Sequence, residues 1–277
     1  ERSELNKNDL FPSLNMKYQM NEKNSLRFAF SRTVTRPSFI EMAPFLYQES
    51  YGSAQIRGNA DLQNGYNYNI DLRYELFEKN GDMLSITAYY KHLKAPIERV
   101  QTLSGGSAVH SFRNADNGMA TGVEIEFRKE IVKDLRFGVN GSYMYTNVKL
   151  PEGGAYTNSQ RALQGASPYL ANADLTYSPA FSNDHQLSVA LLYNLQGPRI
   201  HSVGISGLGD IKQQPVHTLN FTGSYRFNRR FAVKLQVNDL LNQDILFKQE
   251  VPTTGDKVEV ERFRKGTGFE VGFSYDL

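Results

Sequence analysis

The chain has no cysteine and no tryptophan among its 277 residues. Without cysteine it can have neither a disulfide framework nor a thiolate metal site. Long hydrophobic runs are missing too. Nothing approaches about eighteen consecutive apolar residues, so no transmembrane helix is expected. Charge of one sign is also absent: 31 Lys and Arg stand against 29 Asp and Glu, a net +2. So balanced a chain carries no electrostatic footprint for nucleic acid. It opens on Glu1-Arg2-Ser3-Glu4 with no apolar leader, so an exported protein would need its true N-terminus upstream. The five histidines (His92, His110, His185, His201, His217) show no spacing such as HExxH, and neither a metal site nor a cofactor is expected. The glycines of Gly204-Ile205-Ser206-Gly207-Leu208-Gly209 follow no βαβ unit and read as a flexible loop, not a nucleotide cradle.

What the chain has in abundance is alternation. From Leu135 to Thr146 the odd positions are Leu, Phe, Val, Gly, Tyr, Tyr and the even ones Arg, Gly, Asn, Ser, Met, Thr. Successive strand side chains point to opposite faces, so this is a strand with one apolar and one polar face. At about 3.3 Å per residue it reaches roughly 40 Å. Tilted by about 45°, that length covers an apolar band about 25 Å tall. Strands of soluble domains usually run only about 5–6 residues. The mean hydropathy of −0.50 does not oppose a membrane wall, because averaging hides an alternating lipid face.

The same pattern recurs in eleven segments, near 12–20, 24–34, 66–78, 83–97, 123–128, 135–146, 169–177, 187–195, 219–227, 231–237 and 269–277. Short links (21–23, 79–82, 130–133, 180–184, 228–229) alternate with long, irregular connections (35–65, 98–115, 148–167, 200–215 and about 243–264). Turns on one rim and loops on the other are the pattern of an outer-membrane barrel. Phe137, Val139, Phe221, Val233 and Val271 are expected to face lipid, and Asn140, Asn220, Gln236 and Ser274 the lumen. Tyr66, Tyr68, Tyr143, Tyr145, Tyr177, Tyr193 and Phe227 lie near strand ends, as interfacial girdles do. Asp71, Glu75, Glu124 and Glu126 share polar faces with Arg73 and Arg128, so they line a lumen without acid–base chemistry. No catalytic residue is assigned and the chain is not expected to be an enzyme. Eleven antiparallel strands cannot close on themselves, whereas bacterial single-chain barrels use even numbers. The expected fold is therefore all-β, a transmembrane antiparallel wall of about 11 strands belonging to a larger barrel.

Several motifs add a resemblance. Leu10-Phe11-Pro12-Ser13-Leu14, Ser31-Arg32-Thr33-Val34-Thr35-Arg36-Pro37-Ser38-Phe39 and Ala43-Pro44-Phe45 are similar to the barrel of TonB-dependent receptors of Bacteroidetes-like bacteria. So are Gly58-Asn59-Ala60-Asp61-Leu62, Gly122-Val123-Glu124, Gln164-Gly165-Ala166-Ser167-Pro168-Tyr169, Gly197-Pro198-Arg199-Ile200 and Val237-Asn238-Asp239-Leu240-Leu241-Asn242. The resemblance implies a 22-stranded barrel with an N-terminal plug, of which residues 1–277 would be the C-terminal half. It implies outer-membrane localisation and, as partners, membrane lipid, the N-terminal strands and plug, TonB through the N-terminal region, and a small-molecule or oligosaccharide ligand. The function implied is import of a scarce nutrient: a ferric siderophore, haem, cobalamin or oligosaccharide. The chain departs from the family in ending Tyr275-Asp276-Leu277 instead of on an aromatic residue, and no plug or TonB box is visible.

Loops on a rigid wall carry function. The candidate ligand contacts are Arg36, Tyr47, Tyr51, His110, Tyr156, Arg161, Arg199 and His201, in the long connections or, for Arg199, at the edge of one. Two rival classes remain at this level: a passive porin or surface-binding barrel, and a soluble β-rich binding domain. A plug and TonB box upstream would separate the first from an energised receptor, and solubility without detergent would reveal the second.

Overall fold

The structure, a computed structural model, describes residues 8–48, 55–104, 107–151, 156–182, 185–227 and 230–275. Eleven strands form where the period-two pattern lies: β1 (Ser13–Gln19), β2 (Asn24–Thr35), β3 (Gly65–Phe77), β4 (Met83–Lys94), β5 (Asn117–Val132), β6 (Leu135–Lys149), β7 (Tyr169–Tyr177), β8 (His185–Gln196), β9 (Val216–Arg226), β10 (Phe231–Asn238) and β11 (Gly268–Tyr275). They pair antiparallel in chain order into one wall. Short strands Gln160–Arg161 and Ala180–Ser182 add to β6 and β8. Among the described residues no strand pairs with the outer edge of β1 or β11, so the sheet is open. β4 stops at Lys94, short of the expected 97, because Ala95 turns at a φ of 51° and Pro96 has no N–H to donate.

Register makes the two faces continuous. One row across the wall reads Tyr18, Leu26, Tyr74, Ile86, Ile125, Gly141, Ala171, Leu195. The row one residue away, on the opposite face, reads Ser25, Glu75, Ser85, Glu126, Asn140, Asn172, Asn194, Thr218. The apolar face has no cover from the protein: Tyr18 is 66% exposed, Tyr143 64%, Phe269 75% and Phe273 71%. Burying a large apolar side chain is worth about 1.5–3 kcal/mol, so a face of them requires a hydrocarbon solvent. Phe137, Phe221, Val233 and Val271 all lie on this face, and Asn140, Asn220, Gln236 and Ser274 on the other.

On the polar face the charges neutralise one another across strands. Glu75 takes Arg27 at 2.7 Å and Arg73 at 3.0 Å, while Glu126 takes Arg128 at 2.8 Å and Arg73 at 3.8 Å. Asn194 donates to Asn172 at 2.6 Å, and Asn172 to Asn140 at 2.7 Å. The expected polar lining is thus a ladder of groups paired across strands.

Short connections (20–23, 78–82, 133–134, 178–184, 227–230) alternate with long ones (36–64, 95–116, 150–168, 197–215, 239–267), which places all five long ones at one rim. At the 78–82 turn Gly81 supplies a φ of 88°, as its Asn-Gly signal requires. The long connections differ from the irregular loops expected. They build two further four-stranded sheets, one from Leu46–Tyr47, Ile56–Arg57, Ser107–Asn114 and Ile97–Ser104. The other joins Arg199–Ser202, Ile211–Gln213, Ile245–Glu250 and Lys257–Phe263. Local hairpins such as Ile97–Ser104 with Ser107–Asn114 are joined into sheets by distant pairings, Ile56 with His110 and Ile211–Gln213 with Phe247–Gln249, which local periodicity does not reveal. They fold over the polar face at the rim, where inward-facing Val148 is fully buried against Val100, Ala115 and Leu150.

A charge placed on the apolar face at mid-strand should destabilise the wall in a way that its polar-face neighbour does not. Phe221→Arg is expected to cost about 2–4 kcal/mol in equilibrium refolding into lipid vesicles, and Asn220→Arg less than about 1 kcal/mol. Equal costs would refute the facing.

Candidate functional site

The rim of long connections is where side chains of several segments converge. The 36–64 connection begins with helix α1 (Phe39–Met42), held by a capping box: the Glu41 amide donates to Ser38 Oγ at 3.4 Å, and the Ser38 amide donates to the Glu41 carboxylate at 2.7 Å. Gly58-Asn59 then packs on the end of α1. A Cβ at Gly58 would collide with the Ala43 backbone, and the Asn59 amide donates to Glu41 O at 2.7 Å. Asn59 Nδ2 reaches Phe112 O at 2.9 Å, tying the segment to the Ser107–Asn114 strand. Two of the family-like motifs are therefore parts of one clasp.

Behind this clasp lies a buried ion pair. Arg161 Nη2 is 3.0 Å from Glu98 Oε2, with both side chains about 95% or more withdrawn from solvent. It joins the Ile97–Ser104 strand to the segment docked on β6. Burial pushes the Glu98 carboxyl above its ordinary pKa, and the Arg161 guanidinium opposes that rise. Arg161 Nη1 also donates to Ala162 O at 3.2 Å, whereas its Nε makes no hydrogen bond.

Two cavities adjoin the pair. One, about 280 Å³, is lined by Glu41, Glu98, Arg99, Gln164, Arg199 and His201. The other, about 400 Å³, has Arg161, Arg199, Asp210 and Lys212 among its walls, with Tyr143 and Tyr145 of β6. Arg199 belongs to both. Its Nε donates to Gln213 Oε1 at 2.7 Å, which fixes the guanidinium on the Arg199–Ser202 strand. The His201 ring stands edge-on to Phe247 at 4.7 Å, and Gln164 Nε2 donates to His201 O at 2.7 Å. The mixed charge and planar groups suit a polar, multidentate ligand held by hydrogen bonds and ring contact.

Of the residues expected to touch a ligand, Arg199 and His201 share one cavity and Arg161 and Arg199 the other. Arg161 is committed to Glu98. His110 is buried, accepting at Nδ1 from Arg99 Nε at 2.9 Å, so it positions Arg99. Tyr156 packs on the Val100, Ala115, Val148 and Leu150 cluster. Tyr47 is half-buried, edge-on to Phe45 at 6.2 Å, and Arg36 is exposed; neither lines these cavities. Tyr51 lies outside the described residues. Glu41, Glu98, Arg99 and Lys212 went unrecognised in the sequence. The Ser-x-x-Glu capping signature could have flagged Glu41, but nothing local marks the others. Among the described residues no group of three His, Asp or Glu is placed to hold a metal ion.

Comparison with known proteins gives a consistent picture. Residues 1–275 match the family described as "Outer membrane protein beta-barrel family". The ferric enterobactin receptor of Pseudomonas aeruginosa is 22% identical over 253 residues, covering 84% of this chain and 33% of the receptor. A crystal structure of a mutant of that receptor in complex with enterobactin superposes with a TM-score of 0.65 at 20% identity, over 96% of this chain and 40% of the receptor chain. The copper transporter OprC superposes with a TM-score of 0.66 at 14% identity, over 96% and 39% of the two chains. The chain thus spans a third to two-fifths of the length of these relatives, which are receptors and transporters.

Removing one partner of the Glu98–Arg161 pair should loosen the rim. Arg161→Met leaves a buried carboxylate without its cation, a change that costs about 3–5 kcal/mol, read as faster amide exchange in 97–114 and 156–167. Because the Glu98 pKa is raised in the folded state, that state binds the extra proton. Rim stability should therefore fall as pH rises from the ordinary carboxylate value to the raised one, and be flat outside that window. Glu98→Gln should abolish the slope; a slope surviving in it would assign the dependence to another group.

Proposed function

The chain belongs to the outer membrane protein beta-barrel family, and from that premise we propose that residues 1–277 are the C-terminal half of the barrel of a TonB-dependent receptor that imports a scarce nutrient. The observation that carries this reading is the open wall of eleven antiparallel strands, which matches about 40% of the receptor chain on which it superposes. An even barrel needs further strands on both free edges, in keeping with a 22-stranded whole and a plug encoded upstream. The motifs from Leu10 to Asn242 support a Bacteroidetes-like member.

In this reading the long-loop rim faces the outside and captures the ligand, with Arg199 and His201 as its contacts and Glu41 and Arg99 opposite them. The plug then moves under force delivered through TonB, opening the lumen beside the Glu75, Glu126 and Asn140 ladder. The family relatives favour a metal-carrying cargo, a ferric siderophore before haem, cobalamin or an oligosaccharide. The soluble alternative fails on the uncovered apolar face.

Cells carrying the full-length protein are offered radiolabelled ferric siderophores, haem, cobalamin and oligosaccharides. Uptake of one of them should stop when the proton gradient is dissipated, and Arg199→Ala with His201→Ala should weaken its binding by roughly tenfold or more. Uptake indifferent to the gradient would make the protein a passive pore, and unchanged affinity in the double variant would move the binding site elsewhere.

A further inference from the structure

The hydrogen bonds of the histidines differ in whether they tolerate a proton on the ring. His185 Nδ1 and His217 Nδ1 meet tyrosine hydroxyls, Tyr225 Oη at 3.2 Å and Tyr193 Oη at 2.6 Å. A hydroxyl donates or accepts by rotating its proton, so both contacts outlast a change of ring charge. His110 is different. Its Nδ1 lies 2.9 Å from Arg99 Nε, and a guanidinium has donors only. Nδ1 must therefore be bare, which leaves the proton of the neutral ring on Nε2. A protonated ring would turn an N–H toward an N–H and a cation toward a cation. His110 is only 7% exposed, so little water reaches it to replace the lost bond.

The ring sits where two long connections are joined. Ser107–Asn114 pairs with Ile97–Ser104 on one side and meets Ile56 on the other, and the His110 amide donates to Gln55 O at 2.8 Å. Phe112, two residues on and therefore on the same face as His110, lies opposite Arg99. Arg99 and Phe112 both line the cavity of about 280 Å³. The ring thus holds Arg99 from behind while the cavity lies in front. Charged residues of the surrounding elements are mostly cationic. Arg57, Arg99 and Arg113 belong to the strands joined here, and Arg199 and His201 stand on the cavity wall. Both carboxylates of that wall already have partners: Glu98 has Arg161 at 3.0 Å, and Glu41 has the Ser38 amide at 2.7 Å.

We propose that neutral His110 holds Arg99 at the wall of this cavity and that a proton on the ring releases it, so the cavity is formed near neutral pH and loosened in acid. His110 is a positioning residue, acting through Arg99. That the cavity captures cargo rests on the proposed nutrient-import function; the coupling of ring to guanidinium does not. Because the contact needs the bare nitrogen, its contribution is complete at high pH. It is lost as pH falls below about 6.5, where histidine takes up its proton. Glu98 acts in the opposite sense, since its raised pKa favours the folded rim as pH falls. A loss on acidification therefore cannot come from that carboxyl.

The test uses full-length protein in lipid vesicles with no cargo added, so its outcome does not depend on what the protein imports. Solid-state 15N spectra of histidine-labelled protein report the protonation of each ring, and the signal missing from His110→Gln is that of His110. At pH 7.5 its Nδ1 should be bare. Between pH 7.5 and 5.5 the amides of 55–57 and 97–114 should lose roughly tenfold in exchange protection after correction for intrinsic rates. The midpoint should coincide with proton uptake by the His110 ring. Glutamine keeps an acceptor for Arg99 but does not titrate, so His110→Gln should match wild type at pH 7.5 and hold that protection at pH 5.5. Arg99→Gln should also remove the acid loss, because no cation then opposes the ring. Heat-modified gel migration checks that each variant is folded; if His110→Gln fails it, Arg99→Gln, which shifts the same ring signal, supplies the comparison. A cationic ring at pH 7.5, proton uptake that leaves 97–114 as protected as before, or an acid loss that survives in either variant would overturn the proposal.

Discussion

The constraint from which the rest follows is that hydrocarbon offers no partner to a backbone N–H or C=O. Every such group in the membrane must be paired within the protein, and for strands this means neighbour-to-neighbour ladders with no edge in lipid. The nine inner strands meet it on both sides by pairing strictly in chain order, which needs only tight turns at one rim and lets the connections at the other grow, while β1 and β11 each keep one unpaired edge among the described residues. The same ladders lock register, and register decides function because a slip of one residue would turn every phenylalanine inward and every glutamate to lipid. The polar rows, with Glu75 and Glu126 shared among Arg27, Arg73 and Arg128, oppose such a slip by exacting charge burial for it.

Freed from the membrane, the long connections obey a different rule. They bury apolar side chains against each other and against the rim of the wall, as any soluble domain does. The cluster of Val100, Ala115, Val148 and Leu150 is their core, and the Glu98–Arg161 pair is set beside it. A buried ion pair is weak evidence for stability, but a single arrangement satisfies it, so it specifies how the Ile97–Ser104 strand sits on β6. Arg199 and His201 are held in place by that arrangement, through Gln213, Gln164 and Phe247. The two rim cavities are thus formed by rigid pieces of sheet, which would lower the entropy cost of holding a ligand there.

The wall therefore presents three chemically distinct surfaces from one alternating pattern. Apolar residues meet lipid, paired charges and asparagines line the interior, and the rim mixes cations, carboxylates and rings.

By itself the sequence determined the wall. A period of two is a local property: Leu135 to Thr146 declares its two faces without reference to any other segment, and the alternation of short and long links declares the rims. Most strand positions were legible to within a few residues for that reason, although Asn117–Val132 runs well past the expected 123–128, and the fold class and membrane setting were legible with them. Only the tertiary structure decided what the long connections do. Ile211–Gln213 pairs with Phe247–Gln249, and Glu98 meets Arg161, across dozens of intervening residues. No pattern within either segment encodes such a meeting. Hence His110 and Tyr156, which look like free loop side chains in sequence, are packed into the rim, while Glu41 and Arg99 join the cavity unannounced. Local periodicity writes the strand, but burial and pairing between distant residues are energies of the assembled rim and exist only once it has formed.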